Sequence, residues 1–219
     1  MGDVAPVLAI TGTRREAAVL RHAGVEVLAI GGVEDRFGHY RRPLGAVISF
    51  GMAGALSPDL RIGDWVIGSK TCGALSVECD ARWQTALARV LPDARTGPIY
   101  ADGRLIGNLR EKAALAGRHG ALAADMESHY AARLAAEAGV PFAILRCISD
   151  EARHALPPAI AVAMRPDGGL DMGNILKSIM RNPGQLTEIM QTLVHFNRAY
   201  GALRRGASAI PARLAFDLR

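Results

Sequence analysis

Ala121-Leu122-Ala123-Ala124-Asp125-Met126-Glu127-Ser128 and, a helix-length later, Gly139-Val140-Pro141-Phe142-Ala143-Ile144-Leu145-Arg146-Cys147-Ile148-Ser149-Asp150 decide how this chain is read. Ala121–Ala124 is a short strand pattern. Glu127–Ala138 is helical and stops at Gly139, and Val140–Ile148 is a long apolar strand ended by Ser149-Asp150. Strand, helix and strand in about thirty residues form a β-α-β unit, which predicts that the two strands run parallel. Both would then end on one edge of the sheet, bringing Glu127 and Asp150 together.

Working outward, other short apolar runs alternate with helical patterns, as in an α/β fold. Val7–Thr11 reads as a strand, followed by a helix from Arg14 to His22. Ala46–Phe50 is a second strand, broken by Gly51 and Gly54, and Asp64–Ser69 a third. Asp80 caps a helix whose Trp83, Ala86, Leu87, Val90 and Leu91 share a face before Pro92, and Asn108 opens another reaching Arg118. Beyond Asp150, Leu156-Pro157-Pro158 and Arg165-Pro166-Asp167-Gly168-Gly169 signal turns. From Gln185 to Leu203, Leu186, Ile189, Met190, Leu193, Val194, Tyr200 and Leu203 recur every three or four residues, an amphipathic helix.

With 219 residues, half of them hydrophobic and 21% charged, the chain can bury a full core. No linker divides it, so a single domain over 1–219 is expected: a core of about 5–155 and a helical extension over 156–219. Three scattered cysteines, Cys72, Cys79 and Cys147, form no disulfide framework or zinc motif, and no His spacing predicts a metal site. The N-terminus lacks a cationic stretch ahead of an apolar run, and Leu44–Leu56 is too short to span a bilayer. A cytoplasmic protein is the expectation. Most of the net charge of +5 gathers in residues 181–219, where six arginines face two acids. Aromatics are sparse and no nucleic-acid motif is present, so nucleic acid is not an expected partner.

Ligands of open α/β sheets sit at the carboxyl ends of parallel strands. Glu16, Glu127 and Asp150 fall at three such ends, and Gly51 and Gly54 would let a ligand approach the backbone of a fourth. Each acid also has a plainer role: Glu16 and Glu127 suit the first turn of a helix, and Asp150 suits a helix cap. His129 and His154, beside the acidic motifs, read as surface or packed side chains.

Together these segments resemble the purine nucleoside phosphorylase and methylthioadenosine/S-adenosylhomocysteine nucleosidase superfamily over most of residues 7–152. Val47-Ile48-Ser49-Phe50-Gly51-Met52-Ala53-Gly54-Ala55-Leu56 and Ile62-Gly63-Asp64-Trp65-Val66-Ile67-Gly68 look like its glycine-rich strand-loop and following Gly-Asp strand. Ala124-Asp125-Met126-Glu127-Ser128 and Arg146-Cys147-Ile148-Ser149-Asp150-Glu151-Ala152 look like its ribose- and base-binding motifs. Asp125-Met126-Glu127-Ser128-His129, Leu156-Pro157-Pro158-Ala159 and Asn182-Pro183-Gly184-Gln185-Leu186 resemble the hopanoid-biosynthesis branch, whose members remove adenine from adenosylhopane.

The resemblance implies a central mixed, largely parallel sheet flanked by helices, with a helical C-terminal extension. It also implies cleavage of the N-glycosidic bond of an adenine nucleoside with no cofactor, and a homo-oligomer. Asp150 would protonate N7 of the base, Glu127 would accept from the ribose hydroxyls, and Glu16 would hold the attacking water. Met126 would pack beneath the sugar and Ser149 would orient the base edge. Gly51, Met52, Ala53, Gly54, Asp125 and Leu105 would line the substrate, Leu105 standing where relatives often carry an aromatic. Phosphate would be the co-substrate of a phosphorylase, but Ser49 and Met52 stand where that class carries its phosphate-binding arginine and serine, although Arg14 and Arg15 could still supply cations. Hydrolysis is therefore favoured. A soluble methylthioadenosine-type nucleosidase and a non-catalytic nucleoside-binding protein are the alternatives. For a lipid-linked nucleoside, the basic Gln185–Leu203 helix would dock at the inner face of the cytoplasmic membrane. Its competing role is to cover the sheet or form a subunit interface.

Overall fold

The computed structural model describes residues 5–21, 23–30, 40, 42–157, 184 and 186–219. The expected turn at Arg165–Gly169, the Pro158-Ala159 and Asn182-Pro183 motif residues, Gln185, Arg181 and the helix end at His22 lie outside them. Along the chain run β1 (Val7–Thr11), α1 (Arg14–Val19), β2 (Glu26–Ala29), β3 (Ala46–Ala55), β4 (Trp65–Gly73) and α2 (Ala81–Val90). Then come β5 (Arg95–Ala101), α3 (Leu109–His119), β6 (Ala123–Asp125), α4 (Ser128–Ala138) and β7 (Phe142–Asp150). A long helix, α5 (Leu186–Ala209), and a 3₁₀ segment (Ala212–Leu218) close the chain.

The strands form a mixed, largely parallel sheet in the order β2-β1-β3-β6-β5-β4-β7, and a further β3–β7 pairing closes five of them into a ring. β3 makes this possible. Its first half lies parallel to β1 and its last residues pair antiparallel with β6, while β7 runs parallel along its other side. Gly51 and Gly54 therefore do not break the strand, which continues through both to Ala55 with one register shift at Ala53/Gly54. A strand that bends to serve two neighbours gains from residues without side chains at the bend.

The parallel β-α-β expectation is corrected by this closure. β6 is antiparallel to β3 whereas β7 is parallel to it, so β6 and β7 run in opposite directions. Their acids still meet, because β3 passes between them: Gly54 faces Ala124 of β6 on one side and Asp150 of β7 on the other.

The helices form where the caps predicted them. Asp80 Oδ1 accepts from Trp83 N at 2.8 Å, Asn108 Oδ1 accepts from Arg110 N and Glu111 N, and Gly139 ends α4 at φ 64°. One core lies under α2, α5 and the 3₁₀ segment, where Trp83 Nε1 donates to Leu214 O at 2.8 Å. Another lies under α4, whose Ala131, Ala132 and Ala135 pack on the opposite face of the strands. The tail helix thus covers the sheet through Ile189, Ala199, Leu203 and Ala207. Its expected apolar face is only partly committed, because Leu186, Met190, Leu193 and Val194 stay exposed.

Candidate active site

Glu16, Glu127 and Asp150 line one cleft. Each is buried, with 4%, 8% and 4% of its residue surface exposed. Burial of three acids demands partners for each charge, and the local structure supplies them one by one.

Glu16 is the third residue of a capping box. Thr13 Oγ1 accepts from Glu16 N at 3.1 Å, and Thr13 N donates to Glu16 Oε2 at 2.7 Å. The other oxygen, Oε1, accepts from Met52 N of β3 at 2.7 Å. The helix-start role read from the sequence is therefore real, and the same carboxylate reaches the cleft. Each oxygen takes one backbone N–H and keeps a lone pair for a further donor.

Glu127 follows β6. Burial pushes its carboxyl up to about 8, the Arg146 guanidinium pulls it back down, and the Asp125 and Glu16 charges add to the rise. Asp150 ends β7. Its Oδ1 lies 2.8 Å from Ser149 Oγ, which is also 3.1 Å from Ala53 O, and its Oδ2 accepts from Lys112 Nζ at 2.5 Å.

Every one of these acids rests against a glycine. A Cβ on Gly51 would lie 2.6 Å from Glu16 Oε1, one on Gly12 would lie 2.8 Å from Glu127 Oε1, and one on Gly54 would lie 3.0 Å from Asp150 Oδ2. The glycines expected to admit a ligand thus first admit carboxylates. Gly51, at φ +149°, is not among the cleft-lining residues, whereas Gly54 is.

Met52, Ala53, Met126 and Ser149 line the cleft as well, and Leu105, Ile106, Leu156 and Phe196 give it an apolar wall. Asp125 also lines it, but its carboxylate is committed to the protein. Oδ1 accepts from Glu127 N and Ser128 N, while Oδ2 accepts from Ser128 Oγ and pairs with Arg146 Nε at 2.9 Å. Besides lining the cleft, Asp125 thus serves the protein as a cap and counter-ion. Arg14 and Arg15 are exposed, and Arg15 stacks on the Tyr200 ring at 4.9 Å, so neither lines the cleft. His129 is buried on α4, and the rings of His154 and His195 stack edge-on at 4.9 Å.

Two cations escaped the sequence reading. Arg146 of β7 is fully buried, with Nη2 donating to Ser49 Oγ at 2.5 Å and lying 3.8 Å from Glu127 Oε2. A lone arginine inside the apolar run 142–148 was the available signal, since a buried charge needs acids beside it. Lys112 of α3 had no such signal, because a lysine on an amphipathic helix ordinarily faces water.

The raised Glu127 carboxyl makes stability depend on pH. A carboxyl that titrates higher in the folded chain than in the unfolded one costs stability as pH rises between the two values, here from 4.5 to about 8. Glu127→Gln is expected to flatten that decline and to exceed the wild type at pH 8 by on the order of 1 kcal/mol, roughly 2–4 °C in melting temperature. Melting curves from pH 5 to 8 check this, and parallel profiles for the two proteins would contradict it.

A family model described as the phosphorylase superfamily matches residues 72–179. No curated protein matches the chain by sequence. Among solved structures, a Helicobacter pylori 5'-methylthioadenosine/S-adenosylhomocysteine nucleosidase is similar at 19% identity and TM-score 0.58, covering 81% of this chain and 98% of its own. The futalosine hydrolase of the same organism is similar at 19% identity and TM-score 0.59, with the same coverage. An S-adenosylhomocysteine nucleosidase from Streptococcus pyogenes shares 19% identity at TM-score 0.58, covering 90% of this chain and 98% of its own. At these identities the likeness is one of fold.

Proposed function

We propose, for a chain that carries a phosphorylase-superfamily domain over residues 72–179, the hydrolytic cleavage of the N-glycosidic bond of an adenine nucleoside. The observation that carries this reading is the meeting of Glu16, Glu127 and Asp150 in one cleft, Glu16 and Asp150 held by hydrogen bonds and Glu127 beside the Arg146 guanidinium. Leaving of the base gives the sugar oxocarbenium character and puts negative charge on the purine. Asp150 protonates N7 of the departing base, the general-acid step. Glu127 accepts from the ribose hydroxyls. Burial disfavours its charge, and the sugar cation offsets that cost as it forms. Met126 packs beneath the sugar, Ser149 orients the base edge beside Asp150, and Leu105, Ile106 and Leu156 hold the base between apolar walls.

Water fits the remaining place better than phosphate. The two backbone N–H groups that face this corner, Met52 N and Thr13 N, already donate to Glu16. A phosphate dianion about 4 Å from that carboxylate would meet a repulsion of ~8 kcal/mol at an effective dielectric of about 20. Among the described residues no unpaired cation lines the cleft to offset it: Arg104, the arginine there, pairs with Asp102 and Glu111. Glu16 instead orients a water and takes its proton as the C1'–O bond forms.

For the 5'-substituent we favour the lipid of adenosylhopane, on the motif resemblance and on α5. Leu186, Met190, Val194 and Arg198 form one i, i+4 row of exposed residues near Phe196 of the cleft wall. An apolar row continued by a cation suits the interface of an anionic membrane. Methylthioadenosine is the competing substrate. Product analysis with adenosylhopane in vesicles and methylthioadenosine in solution, each with and without phosphate, tests the reading. Adenine and free sugar are expected in both buffers, with adenosylhopane cleaved faster. A sugar 1-phosphate would make the enzyme a phosphorylase, and no adenine from either substrate would make the protein a nucleoside binder.

A further inference from the structure

Lys112 is 1% exposed, and all three of its ammonium donors are spent in one place. Nζ donates to Asp150 Oδ2 at 2.5 Å, to Glu151 O at 3.0 Å and to His154 O at 3.0 Å. Lysine is among the residues least often buried without a purpose, and this one comes from α3, an element that contributes little else near the acids. Asp150 therefore has a cation at Oδ2 and the Ser149 hydroxyl at Oδ1. A carboxylate so held is a good acceptor, yet the proposed reaction asks it to give a proton away.

We propose that Lys112 supplies that proton: it is a positioning residue that loads Asp150 during bond cleavage. The inference rests on the reading of Asp150 as the acid. As the C1'–N9 bond breaks and its electron pair moves onto the purine, an N–H bond of the Lys112 ammonium breaks and its proton passes to the Asp150 carboxylate. The carboxyl delivers a proton to N7. The attacking water forms its bond to C1' and leaves a proton on Glu16. The cycle ends with neutral Lys112, ionised Asp150, protonated Glu16, neutral base and free sugar. Glu16 then releases one proton to solvent and Lys112 takes one up. Lysine suits the task where arginine does not, because a guanidinium holds its proton throughout the accessible pH range.

The competing role is mechanical, since the bonds to Glu151 O and His154 O also pin the loop that carries Leu156 into the cleft. Two variants and two substrates separate the roles. Lys112→Arg keeps the charge and donors but blocks release of the proton, whereas Lys112→Met removes all three. The substrates are methylthioadenosine and the p-nitrophenyl riboside of 5-methylthioribose, whose phenolate leaves without protonation. Both variants are expected to lose about 10²-fold or more in kcat on methylthioadenosine and to keep the aryl riboside within about threefold. Should Lys112→Met fail to fold, Lys112→Arg carries the comparison. Equal losses on both substrates, or none on either, overturn the proposal.

The pH profile of kcat/KM on methylthioadenosine is the second readout, and it decides alone if the wild type does not take the aryl riboside. The wild type is expected to fall on the alkaline side and Lys112→Arg to be low and flat there. An alkaline limb unchanged in Lys112→Arg overturns the proposal. A wild type that releases no adenine at all instead refutes the hydrolase reading, a result distinguishable from either outcome for Lys112.

Discussion

Asparagine in place of Asp150 is expected to slow adenine release by ~10²–10⁴-fold, the range lost when a general acid is removed. The amide keeps the shape of the carboxyl: its oxygen can still accept from Lys112 Nζ while its NH2 donates to Ser149 Oγ, whose own proton goes to Ala53 O, so the seat survives. What disappears is a group that can pass a proton to the base. The substitution also leaves the Lys112 ammonium buried without its counter-ion, and breaking a buried pair from one side costs about 3–5 kcal/mol. Rates should therefore be compared well below both melting temperatures. Unimpaired turnover by a folded Asp150→Asn protein would remove Asp150 from the chemistry.

The largest loss of stability is expected from Arg146→Met. The methionine fills part of the same volume, but Asp125 and Glu127 lose the cation that lies 2.9 and 3.8 Å from their oxygens. The Ser49 hydroxyl loses its donor as well. About 3–5 kcal/mol is at stake, or roughly 6–20 °C in melting temperature. Calorimetry at pH 7 checks this, and an unshifted melt would show that the acids are satisfied without Arg146.

How far the sequence could be read follows from the physics of each element. Helices α2, α3 and α4 announced themselves through Asp80, Asn108 and Gly139, because caps are local. Strand β5 was missed: Arg95-Thr96-Gly97-Pro98-Ile99-Tyr100-Ala101 holds a glycine and a proline, which argue against an interior strand. The structure accommodates Pro98 where the pairing with β4 shifts register, between Gly68 and Thr71, and its carbonyl still accepts from Leu122 N. Strand β2 is four half-buried residues, too short for a pattern.

The convergence of Glu127 and Asp150 was foreseen, but by a parallel unit that the chain does not form. What joins them is a double use of β3 that no local pattern encodes. The apolar stripe of α5 marked its buried face only in part, through Ile189 and Leu203. The helix docks as well through small residues, Thr192, Ala199 and Ala207.

Closure of the five-strand ring has one more effect. A strand edge left unpaired is a template for aggregation, and among the described residues the ring leaves that hazard at the far end of the sheet, on β2. There Glu26 receives hydrogen bonds from Tyr40 Oη at 2.8 Å and Arg42 Nη1 at 2.7 Å, both of which draw its carboxyl below the ordinary range. A charge kept on the outermost strand opposes its extension by another chain.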